Sequence, residues 1–264
     1  RKTGIDVEGE VTGLLPSTEW KRKAYKKPEQ QKWYAGETIS LGIGQGYNNF
    51  TMLQLASATA TLVSGGQRYK PRLVREVQDV VTGERRVLVN DALPPLPLKP
   101  EHVELINRAL YGVTQEGTSV RSFLGATYKS GGKTGTAQAI GVKANEKYNA
   151  AKLEEAQRDH SLYMAFAPLE APSIAVAVIV ENAGWGSDSA APMSRRVFDY
   201  VLNGTVPSEE DLALTREGKS TTPVGKPRPA TEVLLPGAAA IALPPAVPPT
   251  QRVAQGESQG APAK

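Results

Sequence analysis

The sequence of 264 residues contains no cysteine and only two histidines, His102 and His160. The absence of cysteine excludes disulfide bonds and thiolate chemistry, and it is compatible with either the cytoplasm or the periplasm. Two histidines are too few for a typical histidine-ligated metal site. The sequence therefore implies no metal and no cofactor.

Long apolar runs are also missing. No run approaches the roughly twenty residues that a membrane-spanning helix needs, and the sequence shows no signal peptide. The chain begins at Arg1, within patterned sequence and without an initiating Met. We therefore expect a fragment of a longer protein whose membrane anchor lies outside this sequence.

The sequence also lacks a large excess of charge of either sign. The formal net charge is +4, and residues 205–264 contribute nothing to it because their acidic and basic side chains balance. A balance this small does not indicate a nucleic-acid partner. The one basic cluster, residues 21–27, has no stacking platform beside it, and we interpret it as a solvated loop.

Aromatic residues are absent beyond Tyr200, whereas ten of the twenty prolines lie beyond Gly204. A segment of this composition cannot bury enough apolar surface to offset its chain entropy. We therefore predict a folded part, residues 1–204, and a disordered Pro/Ala-rich tail, residues 205–264. A short helix near residues 208–216 is the only structure expected in the tail.

The folded part alternates helical and strand patterns, which predicts an α+β fold. Thr51 and Gln54 have the spacing of a capping box and begin a helix that ends at residues 65–66. A β-hairpin is predicted around residues 82–84. Pro100 stands in the first turn of the next helix, where apolar residues recur with the helical period.

The last third of the folded part has the clearest pattern. Residues 126–139 and 161–167 have the pattern of strands, and a short helix near residues 150–158 interrupts them. Residues 174–180 are apolar on both faces, which predicts a central strand. A helix over residues 189–202 follows, so that three antiparallel strands and a covering helix form one packing unit.

The run from Gly132 to Thr136, with sequence Gly-Lys-Thr-Gly-Thr, lies within the first of these strands. A phosphate-binding loop would need a glycine where the chain has Thr127, and a helix rather than a strand after the motif. The glycines at positions 42, 44 and 46 likewise lack dinucleotide-binding spacing, and we interpret them as a tight turn.

The strand around Lys133 has two readings. A lysine often protects an exposed edge strand, but this explains only one residue of the motif. Three glycines in five positions weaken a strand and indicate that a ligand or another backbone approaches closely. Lys133 offers a cation for a carboxylate, Thr134 a hydroxyl and Gly135 a bare backbone. Such a strand can bind a peptide by strand addition.

Together with the segments around it, this motif resembles class B penicillin-binding proteins, and the resemblance covers residues 1–203. Lys-Thr-Gly belongs, with a Ser-x-x-Lys nucleophile motif and a Ser-Asp-Asn motif, to the set found in class A β-lactamases and penicillin-binding proteins. Within the family, the closest resemblance is to the enzymes of cell elongation. The matching segments are residues 3–10, 13–16, 44–56, 132–138, 160–168 and 175–181.

The resemblance implies the fold of penicillin-binding proteins and serine β-lactamases. It also implies a D,D-transpeptidase that cross-links peptidoglycan stem peptides through an acyl-serine intermediate and binds penicillin. Lys133 and Thr134 would receive the carboxylate of the substrate or of penicillin, and Gly135 would leave room for the ligand. The backbone N–H of Thr136 would complete the oxyanion hole.

The resemblance further implies a location at the periplasmic face of the bacterial inner membrane. The implied ligands and partners are stem peptides, β-lactams, a membrane glycan polymerase and proteins of the elongation complex.

The nucleophile is where the chain departs from the family pattern. The only Ser-x-x-Lys sequence, Ser130 to Lys133, overlaps the strand motif, and no Ser-x-Asn sequence occurs. In the family, both motifs and the first two sheet strands precede the segment that matches residues 3–10. We therefore expect the C-terminal part of a transpeptidase domain, and we predict that this chain alone is inactive.

Two alternatives remain open from the sequence. One is a relative that hydrolyses or senses β-lactams, and the other is a non-catalytic binding or scaffold module with the same fold.

Overall fold

The computed structural model describes residues 2–89, 92–141, 148–219 and 222–233. Its α-helices are α1 (Thr18–Ala24), α2 (Pro28–Gln31), α3 (Ala35–Gly42), α4 (Met52–Val63), α5 (Pro100–Gln115), α6 (Val120–Phe123), α7 (Ala190–Asn203) and α8 (Glu209–Arg216). Its strands are β1 (Arg68–Tyr69), β2 (Glu76–Gln78), β3 (Arg85–Val87), β4 (Ala92–Leu93), β5 (Gly131–Ala137), β6 (His160–Ala167), β7 (Ile174–Val180), β8 (Thr205–Val206) and β9 (Arg228–Pro229).

The main sheet is antiparallel and has the order β5-β6-β7. Thr134 of β5 lies opposite Tyr163 of β6, and Tyr163 lies opposite Val178 of β7. The predicted α+β fold with three antiparallel strands is confirmed.

Residues 174–180 form the predicted strand, β7. In the part of the chain that the structure describes, β7 lies at the edge of the sheet and β6 in the middle. A central position for β7 depends on the strands expected upstream of this sequence, so it stays a prediction. The apolar run of β7 reflects two covered faces, because α4 and α7 both pack on this strand. An apolar pattern reports what covers the faces of a strand, and it does not report whether both edges are paired.

The core lies between the sheet and α7. Tyr163 and Ala165 of β6 are fully buried and pack with Phe198 of α7. Ser161, on the same face of β6, joins the sheet to the beginning of the helix: its Oγ accepts from the backbone N–H of Ala190 at 3.0 Å. The predicted covering helix is therefore confirmed as α7.

Several local predictions are also confirmed. Thr51 and Gln54 form the expected capping box at the start of α4, with backbone-to-side-chain hydrogen bonds of 3.1 and 3.0 Å. Pro100 is the first residue of α5, and β2 pairs with β3 as a short hairpin. The helix expected near residues 150–158 is instead two 3-10 turns, Ala150–Lys152 and Glu155–Gln157.

The basic cluster at residues 21–27 was predicted to be a solvated loop, and this is wrong for its first residues. They belong to α1, and Lys21 is only 3% exposed. The Lys21 ammonium pairs with Glu37 of α3 and lies 5.1 to 5.9 Å from the ring centroids of Trp33, Tyr34 and Tyr47. A carboxylate and three aromatic faces replace the water that this cation would otherwise need.

The prediction of disorder from residue 205 onward is wrong for residues 205–219 and 222–233. Strands β8 and β9 pair with each other, and α8 begins where the short helix was expected. Asp211 of α8 is 1% exposed and pairs with Arg196 of α7. One buried ion pair thus fastens a segment whose overall composition predicts disorder. Residues 220–221 and 234–264 lie outside the described residues.

Candidate active site

The outer edge of β5, opposite β6, carries the Lys-Thr-Gly motif. The carbonyl oxygen of Thr134 accepts from the Lys133 ammonium at 2.9 Å, and that of Thr136 accepts from the Gln45 amide at 2.9 Å. In an antiparallel strand, the N–H and the C=O of one residue point to the same edge of the strand, and residues two apart share that edge. The N–H groups of Thr134 and Thr136 therefore face the outer edge too. No strand pairs with this edge in the part of the chain that the structure describes.

Lys133 is exposed beside this edge. Thr134 is half-buried, and its hydroxyl lies 2.9 Å from that of Thr118, in the segment between α5 and α6. A cation, two hydroxyls and two outward backbone N–H groups thus meet at one strand edge. These groups are suited to binding an anionic or peptide-like ligand in an extended conformation.

The three glycines of β5 have different roles. A Cβ on Gly131 would lie 2.5 Å from the Phe166 ring, and one on Gly132 would lie 2.3 Å from the Tyr163 hydroxyl. These two glycines make room for buried aromatic side chains and not for a ligand. At Gly135, by contrast, the nearest contact of an added Cβ is the Leu162 Cβ at 3.3 Å. Gly135 therefore keeps an open face at the centre of the motif.

Buried polar contacts hold β5 from behind. The Thr114 hydroxyl of α5 donates to the carbonyl of Ser130 at 2.8 Å. The Tyr163 hydroxyl lies 2.7 Å from the Ser119 hydroxyl, and burial raises the pKa of Tyr163. The tyrosine therefore stays neutral, and its hydroxyl can take part in this buried hydrogen bond at ordinary pH. The strand is fixed before any ligand arrives.

Ser130 does not have the geometry of a nucleophile. It is 2% exposed and directly precedes β5, so it is not at the start of a helix. In an extended segment, residues three apart point to opposite faces. The Ser130 hydroxyl and the Lys133 ammonium therefore do not converge, and the Ser-x-x-Lys match is fortuitous.

Two site residues were missed by sequence reasoning. Thr118 carries no motif, and only the contact with Thr134 reveals it. Gln45 lies 91 residues before Thr136 in the chain. Its signal was the pair of flanking glycines, Gly44 and Gly46, whose positive φ angles of 82° and 71° confirm the predicted tight turn.

In residues 2–89, 92–141, 148–219 and 222–233, no group of three or more His, Cys, Asp and Glu side chains could hold a metal ion. Within the same ranges, no helix combines the length and the apolar character required to cross a bilayer.

The fold is that of a transpeptidase domain. Residues 1–199 match the model of the penicillin binding protein transpeptidase domain, and the chain belongs to this family. The family predicted from the sequence motifs is confirmed.

Individual members of this family are similar in sequence to the chain. The chain is 42% identical to peptidoglycan D,D-transpeptidase MrdA of Haemophilus influenzae, over 79% of this chain and 32% of the relative. The chain thus spans about a third of the length of this curated relative.

Two solved structures have the same fold. The first is penicillin-binding protein 2 of Pseudomonas aeruginosa in complex with WCK 5153, with 36% identity and a TM-score of 0.58. The match covers 75% of this chain and 40% of that one. The second is penicillin-binding protein 2 of Helicobacter pylori in complex with MreC, with 26% identity, a TM-score of 0.52, and coverage of 69% and 30%.

Proposed function

We propose that this chain forms the substrate-binding wall of a peptidoglycan D,D-transpeptidase of cell elongation. The observation that carries this proposal is the open outer edge of β5, where the backbone of Thr134 and Thr136 faces outward beside the exposed Lys133. The kinship with transpeptidases and penicillin-binding protein 2 structures supports it. The substrate is then a stem peptide that ends in a carboxylate, and β-lactams occupy the same edge.

The roles of the motif residues follow from their chemistry. The Lys133 ammonium and the Thr134 hydroxyl bind the terminal carboxylate of the peptide or the carboxylate of penicillin, because charge-assisted hydrogen bonds are the strongest available at an exposed edge. Gly135 lets the ligand lie against the strand. These contacts fix the register of the scissile bond along β5.

The backbone N–H of Thr136 acts as an oxyanion donor. It already faces the outer edge, so it needs no reorganisation when negative charge develops on the carbonyl oxygen of the substrate. One such donor lowers the barrier by about 2.7–4 kcal/mol. The chain thus stabilises the tetrahedral intermediate without supplying the attacking group.

The nucleophile belongs to another part of the protein. The relative in Haemophilus influenzae is about three times as long as the matched segment, which leaves room for the serine nucleophile and the lysine that activates it. This chain alone is therefore inactive. The complete protein acts at the periplasmic face of the inner membrane.

The partners proposed for the complete protein are a membrane glycan polymerase and proteins of the elongation complex. The Helicobacter pylori relative has been solved as a complex with MreC, which supports a partner of this kind.

Covalent labelling with a fluorescent penicillin tests the function. The full-length protein should be labelled, and the isolated chain should not. In the full-length protein, Lys133→Ala should lower the second-order labelling rate roughly 10- to 100-fold, because a hydrogen bond to a charged group contributes about 1.5–3 kcal/mol.

A matched control is Lys129→Ala, which removes another exposed lysine just before β5, one paired with Glu170. Its labelling should equal that of the unchanged protein. Labelling of the isolated chain, or equal rates for both alanine variants, would overturn the assignment.

A further inference from the structure

The outer edge of β5 accepts a hydrogen bond from a distant part of the chain. The side-chain amide of Gln45 donates to the carbonyl of Thr136 at 2.9 Å, across 91 residues of sequence. Thr136 is the next-to-last residue of β5, and no strand pairs with its outer side in the described part of the chain. We propose that Gln45 is a positioning residue that holds the Thr136 backbone in the orientation needed for oxyanion binding. This inference rests on the proposed function.

The loop that carries Gln45 is fixed from several directions. The backbone N–H of Gln45 donates to the carbonyl of Ser40 at 2.9 Å. Its carbonyl accepts from the Asn48 amide at 3.2 Å. Gly44 and Gly46 flank it with positive φ angles that other residues adopt only with strain. The Gln45 side chain thus extends from a rigid base, as a positioning group requires.

A buried charged centre lies behind this loop. The Tyr47 hydroxyl donates to Glu37 at 3.0 Å, and Glu37 pairs with the buried Lys21 ammonium. The hydrogen bond from Lys21 is the main cause that lowers the pKa of Glu37. The carboxylate therefore remains charged at neutral pH and continues to accept the hydrogen bond from Tyr47, two residues from Gln45. Helices α1 and α3 are in this way connected to the catalytic edge of β5.

The hydrogen bond from Gln45 is compatible with substrate binding. A carbonyl oxygen has two lone pairs, so Thr136 can accept from Gln45 and from a peptide N–H at the same time. The amide restrains rotation of the Thr136 backbone, and the N–H of the same residue is the oxyanion donor. Gln45 acts through Thr136, and the proposal requires no contact between Gln45 and the reacting atoms.

Two substitutions in the full-length protein test this role. Gln45→Met keeps the length and flexibility of the side chain but removes the donor. It should lower the first-order rate of acylation by fluorescent penicillin about 10-fold and leave the dissociation constant of the initial complex within about twofold, since that constant depends on Lys133 and Thr134. A general loss of packing would instead raise the dissociation constant or reduce the fraction of protein that reacts.

Gln45→Glu provides a pH readout. The carboxylate repels the Thr136 carbonyl at neutral pH, whereas the protonated acid can donate to it. The ratio of the variant's acylation rate to that of the unchanged protein should therefore rise as the pH falls from 7 towards the ordinary glutamate pKa of about 4.3. Using the ratio removes the pH dependence that both proteins share.

Gln78→Met is the matched control, because Gln78 of β2 also donates its side-chain amide to a backbone carbonyl, that of Gly83, away from β5. It should acylate at the unchanged rate. Acylation of Gln45→Met at that rate, a change confined to the dissociation constant, or a ratio independent of pH for Gln45→Glu would overturn the role of Gln45 alone. Absence of labelling in the unchanged protein would overturn the proposed function and this inference together.

Discussion

The ion pair between Arg196 and Asp211 fastens the segment after residue 204 to the folded part. The two side chains are 10% and 1% exposed. Arg196 donates from Nε to Asp211 at 3.0 Å, and from Nη1 to the carbonyl of Pro192 at 2.8 Å. Asp211 in turn lies in the first turn of α8, with its N–H bonded to the Ser208 hydroxyl at 3.0 Å. The pair thus joins α7 to α8.

We expect Asp211→Ala to release α8 from α7. The substitution removes a carboxylate that the mostly buried Arg196 guanidinium bonds, and breaking a buried ion pair costs about 3–5 kcal/mol. An eight-residue helix has little stability of its own, because isolated helices shorter than about 12–15 residues are marginal in water. The free energy lost with the ion pair is therefore larger than the free energy that stabilises α8 as an isolated helix. The segment should open locally while the main sheet stays folded.

Limited trypsin digestion under native conditions measures this opening. Cleavage after Arg216 and Lys219 should be at least about 100-fold faster in Asp211→Ala than in the unchanged protein, since each 1.4 kcal/mol changes the open population about tenfold. The matched control is Glu217→Ala, which breaks an exposed pair with Lys219 and should change the rate less than about fivefold.

The double variant Arg196→Met with Asp211→Ala separates charge from packing. Replacing both ions by apolar groups also removes the buried positive charge, so the double variant should be more resistant to trypsin than Asp211→Ala. If Asp211→Ala is cut at the rate of the unchanged protein, the ion pair does not hold the segment and the reasoning fails.

Features that depend on neighbouring residues could be predicted from the sequence. The capping box of α4 needs only Thr51 and Gln54, three residues apart, and the alternation in β6 follows from the two faces of one strand. The motif on β5 was recognised because its residues are consecutive. In each case the signal lies within a single element.

Features that depend on residues far apart in the chain could not be predicted from the sequence. The burial of Lys21 is set by Glu37 and by rings that follow it in the chain, so a cluster of lysines looked like a solvated loop. The structure of residues 205–219 and 222–233 includes a buried pair between one aspartate and an arginine of α7, whereas composition averages over the whole segment. Gln45 donates to a backbone carbonyl. Every residue has such a carbonyl, so the identity of the acceptor residue gives no signal in the sequence.

Two further predictions concern Glu10 and the glycines of β5. The hydroxyl of Thr3 is the main cause that lowers the pKa of Glu10 below its ordinary value of 4.5. This contact is complete above pH 4.5 and is lost as the pH falls through the lower folded value. The NMR shift of the Thr3 amide, which bonds Glu10, should therefore titrate in acid, and Glu10→Gln should abolish the titration.

Gly132→Ala and Gly135→Ala should separate stability from activity in the full-length protein. A Cβ at position 132 would lie 2.3 Å from the Tyr163 hydroxyl, and that buried ring has no space to retreat, so the melting temperature should fall with a cost of about 1–3 kcal/mol. A Cβ at position 135 meets only the Leu162 Cβ, at 3.3 Å, so Gly135→Ala should lower the melting temperature less than Gly132→Ala does. Penicillin labelling of Gly135→Ala should nevertheless fall, because the methyl group occupies the open face of the motif. Normal labelling of Gly135→Ala would mean that the ligand does not lie against this strand.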